Sequence, residues 1–416
     1  MHLHLSVHMP VPDMDVQLTG SKSLTNRYLI LSALHGQISL SNQSDSDDSQ
    51  VMRLALSSNQ SVVDVHHAGT AMRFLTAYFA GQAGRQVMLT GSQRLKQRPI
   101  GPLVDALREL GARIEYVDKE GFPPLRITGT TFKTDRCSVD ASQSSQFVTA
   151  LILIGSSLPQ GLHINLMGHS ASQSYLSLTA DCIHQVGGQV RITNKELQVE
   201  SFKLTSETAV AVESDWSSAG YWYEWVALSP RGTTIELSTL YLESAQGDKE
   251  LAEIFTNFGV ETNSIDEGSL LITKTSTSYQ QHLSLDLKNQ PDQAQTIFCT
   301  CLALGIEVLL TGLHTLRIKE TDRIAALKQE GMRFRESVNE IITTPDTIQL
   351  KCDKLKPHKH SIYIDTYNDH RMALAFAPLA LKCPIVIKNA EVVTKSYPNY
   401  WKDLERAGAQ IQAVDD

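Results

Sequence analysis

Gly20-Ser21-Lys22-Ser23-Leu24-Thr25-Asn26-Arg27 runs directly into Tyr28-Leu29-Ile30-Leu31-Ser32-Ala33-Leu34. A glycine, two cations and four small hydrogen-bonding side chains crowd the start of an apolar helix. Free backbone N–H groups and the helix dipole make such a start suitable for an anion, and Lys22 and Arg27 add full charges. On its own the stretch reads first as a capped amphipathic helix. It is not a Walker A loop, because no Gly-x-x-x-x-Gly-Lys precedes it.

Repetition changes that reading. Ala68-Gly69-Thr70-Ala71-Met72-Arg73 precedes an apolar run at 74–79, and Asp140-Ala141-Ser142-Gln143-Ser144-Ser145-Gln146 precedes another at 147–151. Glu213-Ser214-Asp215-Trp216-Ser217-Ser218-Ala219, Pro291-Asp292-Gln293-Ala294-Gln295 and Asn368-Asp369-His370-Arg371-Met372 do the same. Six times a strand-like segment ends in a polar loop that opens an apolar helix. The spacing of the last four, roughly 75 residues, suits a supersecondary unit of several elements. Six such N-termini brought together make an anion-attracting cleft.

With 416 residues, 42% of them hydrophobic, the chain has enough apolar surface for two or three domains. The net charge of −8 and pI of about 6.0, with no basic stripe, argue against nucleic acid as a partner. Cys137, Cys182, Cys299, Cys301, Cys352 and Cys383 form no Cys-x-x-Cys pair, so they read as buried free thiols in a reducing compartment. The N-terminus has no charged-then-apolar leader pattern, and the longest apolar candidate, 298–310, is interrupted by Glu307. The expectation is a soluble cytoplasmic protein with no membrane partner.

Along the chain, 2–8 alternates with period two and predicts a strand with Leu3, Leu5 and Val7 inward. Strands are predicted at 86–90, 125–128 and 163–166, and a helix at 103–110 that ends at Gly111. Strands alternating with helices give a mixed α/β class. Residues 91–100 form a second basic loop with Arg94, Lys96 and Arg98. The densest charge cluster is Leu316-Arg317-Ile318-Lys319-Glu320-Thr321-Asp322-Arg323. Read as a helix start, it puts Lys319 and Arg323 on one face at i, i+4, where they repel unless an anion sits between them. Asp292, after a proline, reads structurally as the cap of a helix beginning near Gln293.

Taken in order, Gly-Ser-Lys-Ser-x-Thr-Asn-Arg, Ala-Gly-Thr-Ala-Met-Arg, Arg-Pro-Ile-Gly, Ser-Ser-Gln-Phe, Lys-Glu-Thr-Asp-Arg and Asn-Asp-His-Arg-Met-Ala closely resemble the 5-enolpyruvylshikimate-3-phosphate synthase family, from Gly20 to Trp401. The resemblance implies the two-domain enolpyruvyl transferase fold, each domain built from three βαβαββ units. It implies an inserted domain at 20–213, a second at 1–19 plus 214–416, and an active site in the cleft between them. Cations drawn from both halves predict that anions favour closure. The implied reaction passes the enolpyruvyl group of phosphoenolpyruvate to the 5-hydroxyl of shikimate 3-phosphate, with loss of phosphate, in a monomer without metal or organic cofactor. Glyphosate competes with phosphoenolpyruvate in this family.

Residue by residue, the resemblance implies that Lys22, Gly69, Arg98, Gln146, Arg323, Arg371 and Lys395 contact phosphoenolpyruvate. It implies that Lys22, Ser23, Arg27, Ser144, Ser145, Gln146, Ser172, Asp292 and Lys319 hold shikimate 3-phosphate, with Tyr175 beside its ring. Asp292 becomes the base for the 5-hydroxyl proton, and Glu320 the acid for the methylene carbon, with Lys22 a rival for that proton. The chemistry fits the charges. Two phosphates and two carboxylates carry about −5 to −6. Lys22, Arg27, Arg98, Lys319, Arg323, Arg371 and Lys395, less Asp292 and Glu320, leave +5. His67 stands where the family usually has Asn, Asp or Glu, Phe74 where many members have proline, and Thr315 where some use asparagine. These departures bear on affinity rather than on the reaction. The same-fold transferase acting on UDP-N-acetylglucosamine is the nearest rival, but its loop cysteine is missing from 91–102. A non-catalytic anion-binding relative would be expected to lack Lys22, Asp292, Glu320 or Arg371.

Overall fold

Ala294–Leu304 has no charged residue, and every one of its eleven positions is buried. A helix apolar on all sides has no solvent face and belongs inside the molecule. The computed structural model, which describes residues 1–7, 11–168, 173–266, 268–356 and 360–414, places it there. Helix His370–Phe376 is likewise buried at every position and helix Trp216–Leu228 at every position but Ser217, and the three pack on one another. Helices Lys22–His35, Gly69–Ala80 and Ser145–Gly155 form a second mutually packed trio. Each trio is the centre of one compact unit: Met1–Thr19 with Glu213–Asp416, and Gly20–Val212.

Sheets surround each trio, and one repeat shows their logic. His282–Asp286 lies parallel to Glu307–Thr311, with the central helix 294–304 as its crossover. Ile348–Cys352 then pairs antiparallel with Glu307–Thr311, and Val338–Thr343 forms the outer edge. In sequence this is βαβαββ, with the fourth strand seated inside the third. The same order recurs in four more sheets. The smaller unit holds two of these, led by Val62–Asp64 and Arg136–Asp140, and a shorter third made of the parallel pair Ile38–Ser41 and Thr208–Ala211.

Two repeats of the larger unit draw on the chain's N-terminus. Met14–Val16 lies parallel to Thr234–Ser238, so the whole of 20–212 is inserted between the first strand of a repeat and its helix 216–228. His2–Val7 completes the last repeat between Ile385–Ile387 and Ala409–Val414. Its Leu3 and Leu5 are buried, while Val7 at the strand end is half-buried. The helix predicted at 103–110 is Gly101–Glu109, and Gly111 follows with φ +102°, as a left-handed terminator requires. All six cysteines are free and buried. Among the described residues no helix is long and apolar enough to cross a membrane.

The aromatic helix Trp216–Leu228 carries one discordant residue. Glu224 is fully buried, and neither carboxylate oxygen has a hydrogen-bond partner among the described residues. Burial pushes its carboxyl well above the ordinary range. A group with a raised folded-state pKa stabilises fully below its unfolded pKa and loses that contribution as pH rises towards the folded value. Glu224→Met should therefore be more stable than the parent by about 1–3 kcal/mol at pH 8, with the gain shrinking towards pH 4.5. Urea unfolding at both pH values checks it, and a gain that grows on acidification would contradict it.

Candidate active site

In the larger unit, the three buried helices bring their N-termini together, and Asp292 lies at the meeting point. Pro291–Gln293 forms a 3-10 turn, and the N-cap of helix 294–304 is Gln293 rather than Asp292. The Asp292 carboxylate instead faces cations. Arg323 donates from Nη1 at 2.8 Å, Arg371 donates from Nη2 at 3.1 Å, and Lys319 Nζ stands 3.3 Å away. Arg371 also donates to the Asp292 carbonyl at 3.1 Å. Burial pushes the Asp292 carboxyl upward, but Arg371, Lys319 and Arg323 outweigh it and hold the group well below the usual carboxylate range.

The charge cluster at 316–323 differs from a simple helix start. A 3-10 helix covers His314–Ile318, Lys319 is extended, and the α-helix begins only at Arg323, with Asp322 capping the Ala325 N–H at 3.1 Å. Lys319 and Arg323 do converge on an anion, and that anion is the Asp292 carboxylate. Glu320 is shared: Oε2 accepts from Arg323 at 3.1 Å and Oε1 from Lys395 at 2.6 Å. Asp369 takes the rest of the Arg323 fork, at 2.7 Å from Nε and 3.2 Å from Nη2. Burial pushes the Arg323 guanidinium down, but Asp369, Glu320 and Asp292 together leave it raised. All six site residues expected here, Asp292, Lys319, Glu320, Arg323, Arg371 and Lys395, therefore lie in one bonded network.

In the smaller unit, Lys22 and Ser23 open helix 22–35, and Lys22 Nζ lies 3.7 Å from Asp48. Arg27 is buried one turn later. Its guanidinium donates to the Thr179 hydroxyl at 2.9 Å, the Ser23 carbonyl at 2.8 Å and the Tyr175 carbonyl at 3.2 Å. It also stands over the Phe74 and Tyr175 rings at 5.8 and 6.0 Å. Phe74 thus walls in Arg27, a use for the side chain that replaces a frequent proline.

Gly69 opens helix 69–80, and a β-carbon there would lie 2.6 Å from Nη1 of Arg98, so glycine lets this guanidinium lie against the helix start. Gln146 donates to Thr70 at 3.1 Å, while Ser144 caps the helix that Ser145 begins. Lys22, Ser23, Arg27 and Tyr175 thus gather at one helix start, and Gly69, Arg98 and Gln146 at another. Ser172 lies outside the described residues.

Three carboxylates escaped the sequence reading. Asp369 sits inside a recognised motif, yet its partner is 46 residues away. Asp48 looks like an ordinary acidic first turn of helix Asp47–Ser57. Asp248, in Gln246-Gly247-Asp248, carries no local signal. With Asp369 bonded to Arg323 and Asp248 standing behind Arg371 without touching it, four carboxylates offset the four cations of the larger unit, so that half is far closer to neutral than the sequence count implies. Each of these cations already has a carboxylate partner, so an anion could bind among them only by displacing an internal pairing.

Repeated βαβαββ units and cations at converging helix starts define an α/β enzyme that handles multiply charged anions. A family profile described as EPSP synthase (3-phosphoshikimate 1-carboxyvinyltransferase) matches residues 52–404. A 3-phosphoshikimate 1-carboxyvinyltransferase from Bacteroides fragilis (strain YCH46) is 43% identical over 404 residues, spanning 96% of this chain and 97% of that one. One from Methanospirillum hungatei is 32% identical across 93% and 94% of the two chains. In fold, the chain is similar to an EPSP synthase from Acinetobacter baumannii, with a TM-score of 0.77 at 20% identity over 99% of this chain and 100% of that one. The chain belongs to the EPSP synthase family.

Proposed function

We propose that the two clusters divide the work of a single reaction, the family's transfer of the enolpyruvyl group of phosphoenolpyruvate to the 5-hydroxyl of shikimate 3-phosphate. The observation that carries the assignment of roles is the Asp292 carboxylate at three helix N-termini, bonded to Arg323 and Arg371 and beside Lys319. Asp292 takes the 5-hydroxyl proton as that oxygen attacks C2 of phosphoenolpyruvate. Glu320 gives a proton to the methylene carbon, and Lys22 is the alternative donor. The tetrahedral adduct then loses phosphate as the new methyl carbon returns a proton to the group that protonated it, Glu320 or Lys22, which restores the double bond.

A carboxylate held far below the working pH is a weak base. Substrate anions that draw Arg371, Arg323 and Lys319 towards themselves weaken their hold on Asp292 and raise its proton affinity. Binding thereby arms the base. Lys22, Ser23, Arg27, Ser144, Ser145, Gln146, Ser172 and Tyr175 hold shikimate 3-phosphate, with Lys319 and Asp292. Gly69, Arg98, Gln146, Arg323, Arg371 and Lys395 hold phosphoenolpyruvate, with Lys22. A monomer in a reducing cytoplasm is the form proposed, and the six free thiols support that compartment.

Phosphate release measured with both substrates, and with each alone, tests this reading. Release must require both, and UDP-N-acetylglucosamine must not replace shikimate 3-phosphate. A finer test lies at Gly69. An added methyl meets the far end of the flexible Arg98 side chain, so the cost falls at the low end of overpacking, about 1 kcal/mol. Gly69→Ala should raise the KM for phosphoenolpyruvate about fivefold and leave that for shikimate 3-phosphate unchanged. Equal KM values for phosphoenolpyruvate in parent and variant would remove Arg98 from that substrate's site.

A further inference from the structure

Behind the Asp292 cluster stands a second carboxylate that belongs to none of the family motifs quoted above. Asp248 lies in the short 3-10 turn Gly247–Glu250 and is 7% exposed. Its Oδ2 accepts from the Ser217 hydroxyl and from Gln293 Nε2 at 2.9 Å. Each donor leads to the proposed chemistry. Ser217 Oγ accepts from Arg371 Nη2 at 3.4 Å, and Arg371 grips Asp292 through both its carbonyl and its carboxylate. Gln293 is the residue after Asp292 and is fully buried.

The turn itself is anchored. Gln246 accepts from the Trp216 N–H at 3.3 Å and donates to the Ser214 carbonyl at 2.8 Å and to Glu213 at 3.0 Å. Helix 216–228 comes so close to Gln293 that a β-carbon at Gly220 would lie 2.5 Å from the Gln293 amide oxygen. Asp248 is therefore a fixed acceptor on an anchored turn, joining two helix starts.

We infer that Asp248 is a positioning residue: through Ser217 and Gln293 it sets where Arg371 and the Asp292 carboxylate stand when the 5-hydroxyl attacks. This rests on Asp292 as the base. The charge suits the task, since a buried carboxylate accepts from two neutral donors and faces Arg371 without touching it. Burial raises its proton affinity, and Arg371 opposes that rise. Removing the charge frees Ser217 and the Gln293 amide to rotate, and an error of about 1 Å at a reacting group costs up to 10²-fold in rate.

A double-mutant cycle on the full-length protein tests the inference, with kcat and both KM values measured for Asp248→Asn, Asp292→Asn and the pair. Asp248→Asn should lower kcat about tenfold and raise the KM for phosphoenolpyruvate at least about threefold, leaving that for shikimate 3-phosphate alone. A merely structural loss lowers the active fraction and moves neither KM. In the Asp292→Asn background the kcat loss should vanish. If it persists there in full, Asp248 does not act through Asp292 and the inference falls while the base assignment stands. Parental kcat in Asp292→Asn alone overturns the base assignment itself. Should Asp248→Asn fail to fold, Ser217→Ala carries the cycle, with a loss of about threefold expected only where Asp292 is intact.

Discussion

Asp292→Asn should fold, bind shikimate 3-phosphate and turn over at least about a hundredfold more slowly than the parent. Asparagine keeps the shape of aspartate and still offers one oxygen to Arg323 or Arg371. It cannot receive a proton, so the loss falls on kcat rather than on binding. The pH dependence sharpens the prediction. In the free protein three cations hold the Asp292 carboxyl well below its ordinary range, so the acid limb of kcat/KM due to this group lies below the usual carboxylate pKa. Bound anions compete for those cations and raise it, so the acid limb of kcat must lie at higher pH. Asp292→Asn abolishes that difference. A variant with near-parental kcat would move the base to Glu320 or Lys22.

The repeat was legible because its signal is local. A polar, donor-rich loop followed by a largely apolar helix occurs six times, and these helices form the packed trio of each unit. The strand candidates at 86–90 and 125–128 match Gln86–Thr90 and Leu125–Thr128 to the residue. The cations were legible for a related reason: an uncapped charge beside an apolar helix start is expensive without a purpose. What the sequence concealed is pairing at a distance. Nothing local tells that Lys319 leaves the helix to meet Asp292, or that Asp369 closes on Arg323. Nothing local tells that Asp248 reaches Gln293 across 45 residues. A carboxylate that cancels a cation looks, in one dimension, like any other acidic residue. The positive balance read from the motifs was too large for this reason, and in the proposed mechanism the site relies on exchange of partners rather than on unpaired charge.

That exchange makes Arg323 the residue whose loss should cost the fold most. It is 1% exposed and serves three carboxylates at once, with Asp369 on Nε and Nη2, Glu320 sharing Nη2, and Asp292 on Nη1. The pairing brings little net gain against a well-packed apolar alternative, since each ion gives up its water. Breaking it from one side is different, because the acids stay behind. In Arg323→Met, Asp369, which is fully buried, keeps no guanidinium fork, and Asp292 and Glu320 stand near it with only Lys319, Arg371 and Lys395 to balance them. The expected loss is about 3–5 kcal/mol at pH 7.5, read as a lower urea midpoint for the larger unit. Arg323→Lys should recover part of it, since one ammonium supplies charge but not the planar fork. The pH dependence has a definite sign. Arg323 is one of the cations that hold the Asp292 carboxyl low, so without it Asp292 takes up a proton more readily in the folded state, acidification relieves the variant more than the parent, and the gap should narrow towards pH 4.5. A Met variant that unfolds at the parental midpoint at pH 7.5 would mean that the three acids are already balanced by the remaining cations. Arg323 would then be free to serve substrate alone.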